Sequence, residues 1–120
     1  MGEAGGQGGI VPGRQAAFAA LDMRVGRVVR AEPNAGARKP GYKLWIDFGP
    51  LGEKTSSAQL ADLYTTEELV GRLVVCAVNL GTKRIAGFPS EVLVLGLPDA
   101  AGRVVPLQPE RGVPVGGRVY

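Results

Sequence analysis

Histidine is absent from the 120-residue chain. That excludes His-based general acid–base work, the Ser-His-Asp and Cys-His constellations and most zinc sites. Cysteine is reduced to one residue, Cys76, inside the apolar run "RLVVCAVNL". A lone thiol closes no internal disulfide, so the chain shows no adaptation to an oxidising compartment, and Cys76 reads as a small buried hydrophobe. Aromatics make up only 6% of the chain, so the core must be built from Val, Leu, Ile and Ala. No apolar run approaches the ~20 residues that a membrane span needs. The opening "MGEAGGQGGIVPGRQ" has neither the apolar nor the cationic region of a signal peptide. The expectation is a soluble, cytoplasmic protein with no membrane insertion. Excess charge is small: 14 Lys and Arg against 11 Asp and Glu give +3. Such a balance allows an acidic partner without requiring one, and nothing in it points to DNA specificity.

Glycine and proline are plentiful, at 19 and 9 residues, which favours short elements joined by turns. The expected organisation is a flexible Gly-rich tail over 1–13 and one domain over 14–120. "RQAAFAALD" (Arg14 to Asp22) predicts a short helix with Phe18 and Leu21 on one stripe. "MRVGRVVRAEP" (Met23 to Pro33) predicts a strand with a bulge or bend at Gly26. In "YKLWIDFG" the alternation sends Tyr42, Leu44, Ile46 and Phe48 to one face and Lys43, Trp45 and Asp47 to the other. "KTSSAQL" predicts a third strand, with Thr55, Ser57 and Gln59 on one face and Ser56, Ala58 and Leu60 on the other. "YTTEELVG" carries a capping box, Thr65 with Glu68, and Gly71 as the stop. Arg72 to Leu80 and Glu91 to Asp99 predict two more strands, separated by a basic loop, "GTKRIAGFPS", before a ragged β tail. The pattern is that of an all-β, five-stranded OB-fold barrel with a short N-terminal helix and a short helix between strands 3 and 4.

No enzyme emerges from these residues. Ser56 or Ser57 would need a base; only a Ser-Lys arrangement with Lys54 or Lys43 is conceivable, and no G-x-S-x-G elbow exists. Carboxylates are scattered without metal-ligand spacing, so no metal and no cofactor are expected. What remains is a binding surface. Lys43, Trp45 and Lys54 are expected on one outward face, Arg38 and Lys39 in the loop leading into it, and Lys83, Arg84 and Phe88 in the basic loop. Cations beside an exposed aromatic can track phosphates and stack a base. The same set can hold an extended polypeptide through Trp45 and Phe88, or be a solvated face with Trp45 under lysine stems.

The stretches "LDMRVGRVVRAE", "ARKPGYKLWIDFG", "KTSSAQL", "VNL" and "KRIAGFPSEVLVLG" together resemble the CsaA type of bacterial export-related chaperone, a branch of the stand-alone tRNA-binding-domain superfamily. The resemblance runs from Phe18 to Val119. It implies a non-enzymatic OB-fold homodimer joined through the N-terminal helix and the C-terminal segment, which here means Phe18, Leu21, Val113, Val115 and Val119. It further implies a protein that holds unfolded or precursor polypeptides for export and contacts the export motor protein. Trp45, Phe88, Ser57 and Gln59 would then form the polypeptide site.

The wider superfamily implies tRNA binding, carried here by Arg38, Lys39, Lys43, Lys54, Asn79, Lys83, Arg84 and Ser90. Asn79, Leu80, Lys83, Arg84, Gly87 and Ser90 match its pattern. Ala58 and Gln59 replace its Ser-Gly pair, and Glu91, Val92 and Leu93 follow Ser90 where it has Gln-Gly-Met. Gln59 and Val92 fill space that glycine leaves open, and Glu91 would set a carboxylate in a phosphate's path unless it were paired, for instance with Arg84. Polypeptide is therefore the first expectation for the ligand, and tRNA or structured RNA the second.

Overall fold

The alternation in "YKLWIDF" decides the barrel wall. Leu44 and Ile46 of β2 (Tyr42–Asp47) and the adjoining Phe48 are completely buried, while Lys43, Trp45 and Asp47 keep partial exposure on the other face. Burying side chains of this size is worth about 1.5–3 kcal/mol each, enough to fix which face turns inward. The computed structural model describes residues 13–120, so residues 1–12 of the expected tail lie outside the described residues.

The β2 strand pairs antiparallel with β1 (Met23–Pro33) on one side and β3 (Glu53–Ala58) on the other. Strand β1 also pairs with β4 (Leu73–Ala77), and β4 with the short β7 (Leu93–Val94), giving the sheet order β3-β2-β1-β4-β7. The ends of this sheet meet: the N–H groups of Glu91 and Val92 donate to the Thr55 carbonyl at 2.8 and 3.2 Å. The result is a nearly closed, five-stranded antiparallel barrel of the OB type. Its core includes Val28, Leu44, Ile46, Phe48, Leu60 and Leu69, with Cys76 among them. Helix α2 (Thr66–Leu69) starts at the expected capping box: the Glu68 N–H donates to the Thr65 hydroxyl and the Thr65 N–H to the Glu68 carboxylate. It links β3 to β4 in the chain and lowers Leu69 into the core.

Several local expectations need correction. The irregularity of β1 falls between Val28 and Arg30, not at Gly26, which keeps regular register opposite Val74. Gly26 is required by space: a Cβ there would stand 2.4 Å from Ile46 Cγ2. The basic loop is a two-residue hairpin, β5 (Lys83–Ile85) and β6 (Phe88–Ser90), turned by Ala86 and Gly87, both with positive φ (51° and 80°). Such a turn is ordinarily signalled by Asn, Asp or Gly at its first position, and alanine hides it. Glu91 to Asp99 divides into β7 and β8 (Gly96–Pro98), the latter pairing with β9 (Val104–Pro106) as a separate hairpin. Helix α1 spans only Arg14–Ala20; Leu21 is already extended, and no residue of the helix is buried.

Candidate functional site

The bulge in β1 builds one face. Val28 still pairs with Ile46, but the extra residue brings Arg30 opposite Trp45. Bulges re-aim side chains in this way. The Arg30 guanidinium carbon sits 4.3 Å from the centre of the Trp45 ring, held from behind by the Glu32 carboxylate at 2.7 Å. Trp45 meets Phe88 of β6 edge-on, with ring centres 5.4 Å apart and planes at 68°. The Lys43 ammonium lies 5.4 Å from the Phe88 ring centre. Cation, ring, ring and cation thus follow one another across three strands. Each such cation–ring contact is worth roughly 0.5–1 kcal/mol at an exposed site. Trp45, Phe88 and Lys43 come together as the sequence implied. Arg30 was missed, because only the position of the bulge reveals which face it takes.

The other candidate residues divide. Lys83 and Arg84 are exposed on the hairpin, and Arg84 donates to the Gly87 carbonyl at 2.7 Å. Arg38 and Lys39 are exposed in the β1–β2 loop, near Ser57 and Gln59 at the end of β3. Lys54 does not join them. It pairs with Ile46, on the face of Ser56 and Ala58, whereas Thr55 and Ser57 stand opposite Trp45 and Lys43. A period of two cannot place Lys54 and Ser57 on one face. Asn79 is also elsewhere: its Oδ1 accepts from the Asp22 N–H at 2.9 Å and its Nδ2 donates to the Ala20 carbonyl at 2.7 Å, tying down the end of α1. Ser90 lies in the barrel seam, its hydroxyl accepting from the Ser57 N–H at 3.0 Å. Glu91 is there too and is not paired with Arg84; its carboxylate accepts from the Thr55 N–H at 2.9 Å.

A second feature lies beside the C-terminal segment. Met23, Val25, Leu95, Leu107, Val113 and Val119 line an open groove of about 560 Å³. Phe18, on α1, is 47% exposed. Val115 is not in the groove; its side chain lies against Gly49, where an added Cβ would be 3.1 Å from Val115 Cγ2. Leu21 is half-buried at the end of α1.

Cys76 is no nucleophile, since burial pushes its thiol up to about 12. Among the described residues no group of three or more His, Cys, Asp or Glu is placed to hold a metal ion. None of the helices among them is long and apolar enough to cross a membrane.

With this geometry in view, comparison with known proteins gives a consistent result. The model of the family described as a putative tRNA binding domain matches residues 23–118. The methionine–tRNA ligase of Methanosarcina acetivorans is 35% identical over 102 residues, covering 85% of this chain and 14% of the ligase. That of Archaeoglobus fulgidus is 39% identical over 102 residues, covering 85% of this chain and 15% of the ligase. The chain therefore spans only about 14% of the length of the curated relatives it matches. Among solved structures, the chaperone CsaA of Bacillus anthracis superposes with a TM-score of 0.83 at 48% identity, over 88% of this chain and 96% of that one. The CsaA chaperone protein of Picrophilus torridus gives 0.81 at 40% identity, over 88% and 97%. A MetRS-related protein of Pyrococcus horikoshii gives 0.78 at 33%, over 88% and 95%.

Proposed function

The chain belongs to the putative tRNA binding domain family, and from that premise we propose that it is a non-catalytic protein that holds structured RNA, tRNA foremost, on the face of Arg30, Lys43, Trp45 and Phe88. The observation that carries this reading is the alternation of cations and rings. Arg30 covers Trp45 and Lys43 covers Phe88, so the face offers positive charge and ring edges more than bare apolar area. Arg38, Lys39, Lys83 and Arg84 extend the charge to either side. The carboxylate of Glu91, which would repel a phosphate from an open position, is engaged with Thr55 in the seam. Contacts of this kind track a phosphate backbone without reading sequence.

Fluorescence anisotropy of labelled bulk tRNA, at low and physiological salt, tests the reading. Binding should persist at physiological salt. Lys43→Ala and Lys83→Ala should each lower the slope of log affinity against log salt by about 1. Trp45→Ala should cost about 1–3 kcal/mol if a base stacks there. Loss of all binding at physiological salt, or displacement of the tRNA by an unfolded polypeptide, would sink it.

A second reading has its own support. The two CsaA chaperone structures resemble this chain at 48% and 40% identity over nearly their whole length. On that reading the protein is a homodimer that holds unfolded or precursor polypeptides for export through Trp45, Phe88, Ser57 and Gln59 and contacts the export motor protein. The pairing of copies would use Phe18 and the apolar groove of Val113 and Val119, surfaces that one copy leaves open. Polypeptide binding built on apolar contact should vary little with salt and should fall in Trp45→Ala and Phe88→Ala. Both readings set the protein in the cytoplasm.

A further inference from the structure

Next to the cation–ring face, the β1–β2 loop and the β5–β6 hairpin close over the end of β3. A Cβ on Gly36 would lie 3.2 Å from that of Ala86, so the two loops touch. Below that contact is a cleft of about 280 Å³ lined by Ala37, Arg38, Lys39, Gly41, Ser57, Gln59 and Ile85. We propose that this cleft receives a single unpaired nucleotide of the bound RNA, with its phosphate at Arg38 and Lys39 and its base edge on Ser57 and Gln59. The inference rests on the RNA reading above.

Several observations lead there. The lining holds two cations and no carboxylate, so its charge suits an oxyanion. Neither Arg38 nor Lys39 has an ion-pair partner among the described residues. One neutral polar group, Ser57, is held ready. Asn34, only 4% exposed, donates from Nδ2 to Ser57 Oγ at 3.2 Å and to the Ile85 carbonyl at 3.3 Å. Ser57 Oγ is thereby fixed as an acceptor toward Asn34, and its own proton has no acceptor among the described residues, so it is free to donate to a ligand. The remaining walls, Ala37, Gly41 and Ile85, carry no polar side chain. The volume is close to about 300 Å³, the lower end for small-molecule sites, which suits one base with its sugar rather than a duplex. The position completes the argument. Ser57 pairs with Lys43, so a strand crossing the cation–ring face reaches the cleft without a gap. RNA-binding folds read unpaired bases this way, splayed out of the stack against side-chain amides and Arg planes, and the loops of OB barrels are a common place for it.

The test uses the full chain and two labelled RNAs at physiological salt: a stem capped by an unpaired uridine loop, and the same stem as a blunt duplex. Uridine monophosphate and inorganic phosphate serve as free competitors. Wild-type protein should prefer the looped stem, and uridine monophosphate should compete better than phosphate. Gln59→Ala should cut that preference about tenfold, the value of one lost hydrogen bond to a ligand. Ala37→Phe, which fills the cleft from an exposed loop and leaves both cations, should abolish it. If both RNAs bind and the two variants change neither preference nor competition, the cleft proposal fails while the RNA reading stands. If neither RNA binds, both fall together. If an unfolded polypeptide displaces uridine monophosphate and itself binds more weakly to Gln59→Ala, the cleft belongs to polypeptide and the proposal is overturned.

Discussion

The Glu91 carboxylate takes the place of a backbone carbonyl for Thr55: its Oε1 accepts the Thr55 N–H at 2.9 Å and lies 3.0 Å from the Thr55 hydroxyl. The same hydroxyl stands 2.6 Å from the carbonyl of Pro89, a residue with no N–H of its own to offer. The barrel seam is therefore closed in part by side chains. Glu91→Ala would leave the Thr55 N–H unpaired in a half-buried seam and should lower stability by about 1–3 kcal/mol. Glu91→Gln keeps an acceptor oxygen and should lose less than half of that. Urea unfolding of the two variants against wild type is the check; equal losses would mean that the charge, not the acceptor, matters.

Gly26 supplies a second stability test. An alanine there would force its Cβ to 2.4 Å from Ile46 Cγ2 and 2.7 Å from the Phe48 ring, both in the packed core. Overpacking of this kind typically costs about 1–3 kcal/mol. Gly112, whose Cβ would meet nothing within 4 Å, is the control, and Gly112→Ala should leave the urea midpoint unchanged. A neutral Gly26→Ala would show that Phe48 can shift, and that β1 has slack the packing does not suggest.

What could be read from the chain beforehand follows from how local each signal is. The alternation in Tyr42 to Phe48 and the Thr65–Glu68 capping box are complete within a few residues, and both stand where expected. The family resemblance, carried by long ordered motifs, agrees with the match over 23–118. Signals that depend on pairing were not legible. Whether the irregularity of β1 falls at Gly26 or at Val29 changes no property of the strand taken alone, yet it decides whether Arg30 reaches Trp45. The Lys54 error was one of parity: alternation from Thr55 already excludes it from the face of Ser57. The β5–β6 hairpin was masked because Ala86 adopts a φ of 51°, where alanine seldom sits. Asn79 and Ser90 matched a family pattern, but that match alone could not show that their polar atoms are engaged inside the fold.

The anchoring of α1 should respond to acid. Asp22 joins the N- and C-terminal ends: its carboxylate accepts from Arg24 at 2.6 Å and lies 3.5 Å from Arg118, whose guanidinium also donates to the Ala19 carbonyl. The hydrogen bond from Arg24, with the charge of Arg118, holds the Asp22 carboxyl below its ordinary 3.8 against an opposing effect of burial. A lowered folded-state value means stabilisation that is full above the ordinary value and lost as pH falls through the lowered one. The gap in unfolding temperature between wild type and Asp22→Asn should thus be widest near neutrality and close as pH falls through the lowered Asp22 value. Working with the difference removes the parallel contributions of Glu67 and Asp99, which are also held low. A gap that stays constant down to acid pH would show that Asp22 contributes through shape alone.

Phe18 offers a test of whether copies of the chain associate. It stands 47% exposed on a seven-residue helix that buries nothing within its own chain. A helix this short has little stability of its own and gains it by packing. If two copies cover each other's α1, the exposed half of each Phe18 is worth about 1 kcal/mol. Two-fold symmetry counts every substitution twice, so Phe18→Ser should raise the dimer dissociation constant about 30-fold. Val113→Asp, which puts a charge into the groove beside the C-terminal segment, should act in the same direction through different contacts. Sedimentation velocity over a concentration series separates the outcomes. Wild-type protein running at twice its 12.5 kDa, with both variants shifted toward one copy, supports the symmetric pairing. A wild-type protein that stays at 12.5 kDa at every concentration would remove the dimer and leave α1 to find another surface.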